Sequence, residues 1–91
     1  MNGKDLRINK MDKEYNISNI EFSEEFIVIA VDGKTYKIPI VKASKRLAEA
    51  TDIERKMYRI SPSGYGIHWY AIDEDLTTKG LIKLAEIAKT A

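Results

Sequence analysis

Phe26-Ile27-Val28-Ile29-Ala30-Val31-Asp32-Gly33-Lys34-Thr35-Tyr36-Lys37-Ile38-Pro39-Ile40 is the stretch that decides the fold. Its first six residues are apolar and dominated by β-branched side chains, which fit a pleated strand. Asp32-Gly33 is a favoured pair for a two-residue type I′ turn, and Lys34 to Ile40 returns as a second strand. With those two residues as the turn, Val31 faces Lys34, Ile29 faces Tyr36 and Ile27 faces Ile38, so these pairs share one face, the core side. Val28 and Ala30 are apolar on the opposite face, which predicts a covering element there, such as a helix. Pro39 has no N–H to give to a ladder and so places this strand at a sheet edge.

Upstream, Ile17, Ile20 and Phe22 precede a Ser23-Glu24-Glu25 connector, which predicts another strand and completes a three-stranded meander. Residues 1–15 carry Lys4, Asp5, Arg7, Lys10, Asp12, Lys13 and Glu14, interrupted by Leu6, Ile8 and Met11. They read as a mobile N-terminal arm ahead of a single domain over residues 16–91. Downstream, Ser44 is placed to cap a helix over Lys45 to Ala50, and Thr51-Asp52-Ile53-Glu54 is a capping box for a second. Met57 to Ile60 and Ile67 to Tyr70 flank Ser61-Pro62-Ser63-Gly64-Tyr65-Gly66, a turn-forming cluster that predicts a second hairpin. After Ile72-Asp73-Glu74-Asp75-Leu76, Thr77 serves as N-cap of a last helix, with Leu76 and Leu81 at staple spacing. Leu81, Leu84, Ala85 and Ala88 give that helix an apolar stripe over Thr78 to Lys89. The expected class is α+β: a small antiparallel sheet (N-terminal meander plus a second hairpin), two short central helices and a C-terminal helix packed on it.

Composition narrows the function. Ninety-one residues make one domain able to bury about two-thirds of its extended-chain surface. Fifteen basic against fourteen acidic residues leave a net charge of +1, too small to attract phosphate backbones or anionic lipid as a whole. The absence of cysteine excludes disulfides, thiolate zinc sites and thiol catalysis. The longest apolar run, Phe26 to Val31, is too short to span a bilayer, and no secretory segment follows the charged N-terminus. These features point to a cytoplasmic protein without a membrane partner.

The segment from Ser61 to Tyr70 holds the single histidine, the single tryptophan and two of the five tyrosines. Strand alternation sends Ile67 and Trp69 to one face and His68 and Tyr70 to the other, so Trp69 is expected in the core and His68 nearer solvent. His68 could serve as a general base or metal ligand, yet its sequence neighbours supply no positioned partner. Asp73, Glu74 and Asp75 are the sharpest local charge and invite magnesium or acid–base chemistry. Their spacing is unspecific, and Thr78 stands where a calcium loop needs glycine. An electrostatic role at the last helix N-terminus accounts for them. Gly64-Tyr65-Gly66 lacks the third glycine of a dinucleotide fingerprint, and no phosphate loop is present. Lys42, Lys45, Arg46, Arg55, Lys56 and Arg59, with Tyr58 and Tyr65 as stackers, suggest nucleic acid, but Glu49, Asp52 and Glu54 dilute that charge. No serine triad can be assembled.

Gly64-Tyr65-Gly66-Ile67-His68-Trp69, followed by Asp73-Glu74-Asp75-Leu76 and Gly80-Leu81, resembles the domain of unknown function 2442 family. The resemblance extends back through Glu54-Arg55, Ala50-Thr51, Arg46-Leu47-Ala48 and Asp32-Gly33, covering roughly Ile17 to Ile82. Tyr70, Lys45 and Asp52 stand where the family commonly has proline, and Tyr70 bears on the shape of the loop to Asp73. The resemblance implies a small bacterial α+β domain, found alone or ahead of a helix-turn-helix, and often encoded beside another small protein in suspected toxin–antitoxin pairs. With the chain ending at Ala91, an appended helix-turn-helix is not expected, whereas partner binding is carried over.

The resulting expectation is a non-catalytic protein-binding or regulatory module, the antitoxin-like member of a small protein pair, without cofactor or metal. Its partner would be another small protein encoded nearby, and the reading also accommodates a homodimer. Tyr65, His68, Tyr70, Asp73, Glu74 and Asp75 are the candidate partner-binding residues. Asp32, Gly33, Thr51, Glu54, Gly64, Gly66, Trp69, Leu76, Thr77 and Leu81 form the structural motif. The alternatives are a nucleic-acid-binding accessory domain and a metal-assisted enzyme using His68 with Asp73 or Asp75.

Overall fold

A computed structural model describes residues 14–90. Within it, β1 (Ile17–Phe22), β2 (Phe26–Val31) and β3 (Lys34–Pro39) form one antiparallel sheet in that order. Three short helices follow, α1 (Ile40–Ala43), α2 (Lys45–Glu49) and α3 (Asp52–Arg55). A second antiparallel sheet, β4 (Tyr58–Ile60), β5 (Gly66–Trp69) and β6 (Glu74–Thr77), leads into α4 (Thr78–Thr90). The fold is α+β. The predicted arm falls mainly on residues 1–13, outside the described residues. Tyr15, the last residue of the expected arm, packs against the core, and its N–H donates to the Ser63 carbonyl at 2.8 Å.

The Asp32-Gly33 turn forms as its residue types require, with φ of 52° and 81°. It sets the register: Val31 opposes Lys34, Ile29 opposes Tyr36 and Ile27 opposes Ile38. Ile27, Ile29, Val31 and Ile38 are buried, and β3 is an edge strand, as Pro39 demands. Pro39, with φ −62°, ends the strand there, and Ile40 enters α1 instead of extending β3. Leu81 and Ala85 of α4 belong to the same buried cluster as Ile27, Ile29 and Ile38. The helix therefore covers that face, not the Val28–Ala30 face for which a cover was expected; Val28 and Ala30 stay half-buried. Leu84 is half-buried and Ala88 exposed, so the docking stripe is narrower than the spacing suggests.

The local caps follow the sequence. Ser44 Oγ accepts from Leu47 N at 3.0 Å, and Thr51 and Glu54 form both bonds of a capping box. Thr77 Oγ1 accepts from Gly80 N at 3.0 Å at the start of α4. Between the sheets lies Trp69, fully buried, edge-on to Phe22 at 6.3 Å and tilted against Tyr58 at 6.0 Å. Its indole N–H donates to the Arg55 carbonyl at 3.0 Å, tying the second sheet to the end of α3.

Two glycines with positive φ should respond differently to alanine. At Gly33 (φ 81°) an added Cβ meets nothing within 4 Å, so Gly33→Ala carries only the left-handed backbone penalty, about 1 kcal/mol. At Gly64 (φ 72°) the Cβ would run into the Tyr15 carbonyl oxygen, so Gly64→Ala should lose at least about 3 kcal/mol. Urea unfolding of the two variants checks the order, and equal losses would contradict the packing of Tyr15.

Candidate functional site

β5 fixes the site through alternation: Ile67 and Trp69 face inward, so Gly66 and His68 face out. Register does the rest. Arg59 of β4 opposes His68, and His68 opposes Asp75 of β6. A cation, an imidazole and a carboxylate thus form one row across the outer face of the second sheet. His68 Nδ1 lies 2.7 Å from Asp75 Oδ1, with both side chains substantially exposed. An ionised carboxylate only accepts, so Nδ1 carries the proton and Nε2 of the neutral ring is left as an acceptor. The Arg59 guanidinium sits 5.4 Å from the centre of the Tyr70 ring, at cation–π range. Beside the row runs a groove of about 460 Å³ whose walls include Tyr65, Ile60, Pro62, His68 and Asp75. Tyr65 and Tyr70 are each about half exposed.

The six predicted binding residues therefore do not act together. Tyr65, His68, Tyr70 and Asp75 share the outer surface. Asp73 is exposed but occupies the turn, with φ 52°, a left-handed conformation that aspartate tolerates better than most residues. Glu74 opposes Trp69 and so turns the other way. One of its oxygens accepts from Ser44 Oγ at 2.5 Å and the other from Asp75 N at 3.2 Å. Ser44 is buried and bonds in both directions, capping α2 while holding Glu74. Glu74 is thus a connector between β6 and α2, and the acidic run contributes two carboxylates to the exterior instead of three. A third strand, β6, is the feature that the expected hairpin lacked; Asp75-Leu76-Thr77 alternates out, in, out, but over too few residues to announce a strand.

Much of the basic cluster is also structural. Arg46 Nη1 donates to the Asp73 carbonyl at 2.7 Å, bracing the β5–β6 turn. Arg55 donates to the Leu47 and Ala48 carbonyls at the end of α2, with its guanidinium 5.5 Å from the Phe22 ring centre. Tyr58 packs on Trp69 and so is not displayed for stacking. Exposed basic charge near these helices comes from Lys42, Lys45, Lys56 and Arg46, the last of these bonded to the Asp73 carbonyl, with Arg59 on the other face. Among the described residues, no group of three His, Cys, Asp or Glu side chains is arranged to hold a metal ion, and no helix is long and apolar enough to cross a membrane.

The division between connector and exterior residues is measurable. Glu74→Ala leaves the buried Ser44 hydroxyl without its acceptor and should cost about 1–3 kcal/mol in thermal or chemical unfolding. Asp75→Ala, at a side chain 78% exposed, should change stability by less than about 0.5 kcal/mol. The reverse order would contradict the assignment of Glu74 to the interior.

Comparison with known proteins identifies a family. No curated protein and no solved structure matches the chain. A family model described as Protein of unknown function (DUF2442) matches residues 17–86, from the first strand into the last helix. The chain therefore belongs to the DUF2442 family.

Proposed function

We propose that this chain is a non-catalytic protein-binding module whose recognition surface is the outer face of the second sheet. One observation carries the reading: Tyr65 and Tyr70 stand exposed on either side of an Arg59–His68–Asp75 row, beside an open groove. Exposed tyrosines supply contact area with little rotamer entropy to lose, and the charged row supplies orientation and encounter rate. The Arg59 and Asp75 charges balance, so the row favours a partner with paired opposite charges over a uniformly basic one. In keeping with the family resemblance, the partner is a second small protein encoded nearby, with this chain as the regulatory, antitoxin-like member of a bacterial cytoplasmic pair.

A second reading has one observation in its favour. Asp75 holds the His68 ring by Nδ1, the arrangement in which a carboxylate orients a general base. Catalysis further requires a group for His68 Nε2 to act upon, and a metal-assisted version requires more ligands than this pair. Micromolar manganese added to the labelled protein separates the two readings. Unchanged His68 ring signals agree with the binding module, and site-specific broadening at His68 favours the metal-assisted enzyme.

The direct test is co-purification with the product of the adjacent gene. Tyr65→Ala/Asp75→Ala should weaken capture at least about tenfold while the variant keeps the parent's circular dichroism. Undiminished capture by the folded double variant would remove this face from consideration.

A further inference from the structure

Among the described residues, no strand pairs with the outer edge of β3. In a two-residue hairpin the residues flanking the turn exchange both backbone bonds, and bonding alternates outward from there. Lys34, Tyr36 and Ile38 therefore turn their backbone groups toward β2, while Thr35, Lys37 and Pro39 turn theirs away. Pro39 lies on the outward side, where a missing N–H costs the sheet nothing. No backbone bond from another described residue reaches Thr35 or Lys37 on that side. Two N–H and two C=O groups are thus presented in strand geometry.

Beside this edge lies a groove of about 350 Å³ between β3 and the later turns of α4, separate from the surface discussed above. Phe26, Tyr36, Ala85 and Ala88 provide apolar walls, and Lys34, Lys37 and Lys89 ring it against the single carboxylate of Glu86. Two of these cations lie along the walls: Lys37 Nζ is 4.3 Å from the Phe26 ring centre and Lys34 Nζ is 5.7 Å from that of Tyr36. Lysines on an edge strand also discourage indiscriminate pairing, which would account for Lys34 and Lys37 by themselves. It does not account for a third lysine supplied by α4 or for the apolar walls between the two elements.

We propose that an extended acidic segment of a partner protein adds to the β3 edge as a fourth strand, with its carboxylates held by Lys34, Lys37 and Lys89. Backbone pairing with Thr35 and Lys37 would supply affinity, and the lysines would select acidic over basic sequences. Screening by salt follows from the exposed position of these charges.

The test uses the full chain, isotopically labelled, and a fluorescent heptapeptide of alternating glutamate and valine. Binding should slow hydrogen exchange at the Thr35 and Lys37 amides. Lys37→Glu/Lys89→Glu should weaken binding about tenfold or more, as should replacing the peptide's glutamates by lysine. Thr35→Pro, which deletes an outward donor without touching the β2 bonds, should do likewise. Unchanged exchange at Thr35 and Lys37 under saturating peptide would overturn the proposal, as would equal affinity for the charge-reversed variant. So would protection that appears without peptide and grows with protein concentration, which would make the edge a contact between copies of this chain.

Discussion

Trp69 is the constraint on which the molecule depends. It is fully buried where the two sheets meet, touches an aromatic ring from each, and uses its one polar atom on the Arg55 carbonyl. Truncating a buried tryptophan costs about 3–5 kcal/mol, against roughly 5–14 kcal/mol of total stability for a domain of this length. This one side chain links the meander, the third helix and the second sheet at once. Because alternate residues of a strand point oppositely, burying Trp69 also forces His68 outward, and the register then brings Arg59 and Asp75 alongside it. The exterior row is thus a geometric consequence of the core.

The same division sorts the charged residues by role. Arg46, Arg55 and Glu74 are spent on carbonyls and on a buried hydroxyl, where they fasten helix ends and the β5–β6 turn. Short helices of four or five residues have little stability of their own, so external bonds to their termini matter more than propensity. What remains on the exterior is a balanced set of charges around aromatic rings. In the function proposed above, that set meets a protein surface.

Local chemistry made most of the fold legible in the sequence. Asp32-Gly33 fixed a register that places Ile27, Ile29 and Ile38 correctly, and Ser44, Thr51 and Thr77 each cap a helix as their positions suggest. Tertiary contacts hid the rest. Nothing local marks Glu74 as the partner of Ser44, thirty positions away, or Arg55 as the brace of α2. The core face of the first sheet was readable, whereas a cover expected over Val28 and Ala30, as apolar as their neighbours, is not what α4 supplies. Of the candidate site, the outward direction of His68 and Tyr70 was readable from strand period. The pairing of His68 with Asp75 needed β6, a strand of four residues with no clear signal.

Hydrogen exchange at the Trp69 indole N–H under native conditions addresses the central dependence most directly. If this side chain holds the sheets together, its proton should exchange only through global unfolding, with the same opening free energy as the slowest amides of β2. An indole proton that exchanges readily while the Ile27 and Ile29 amides stay protected would show that the meander stands without it, and the account would fail.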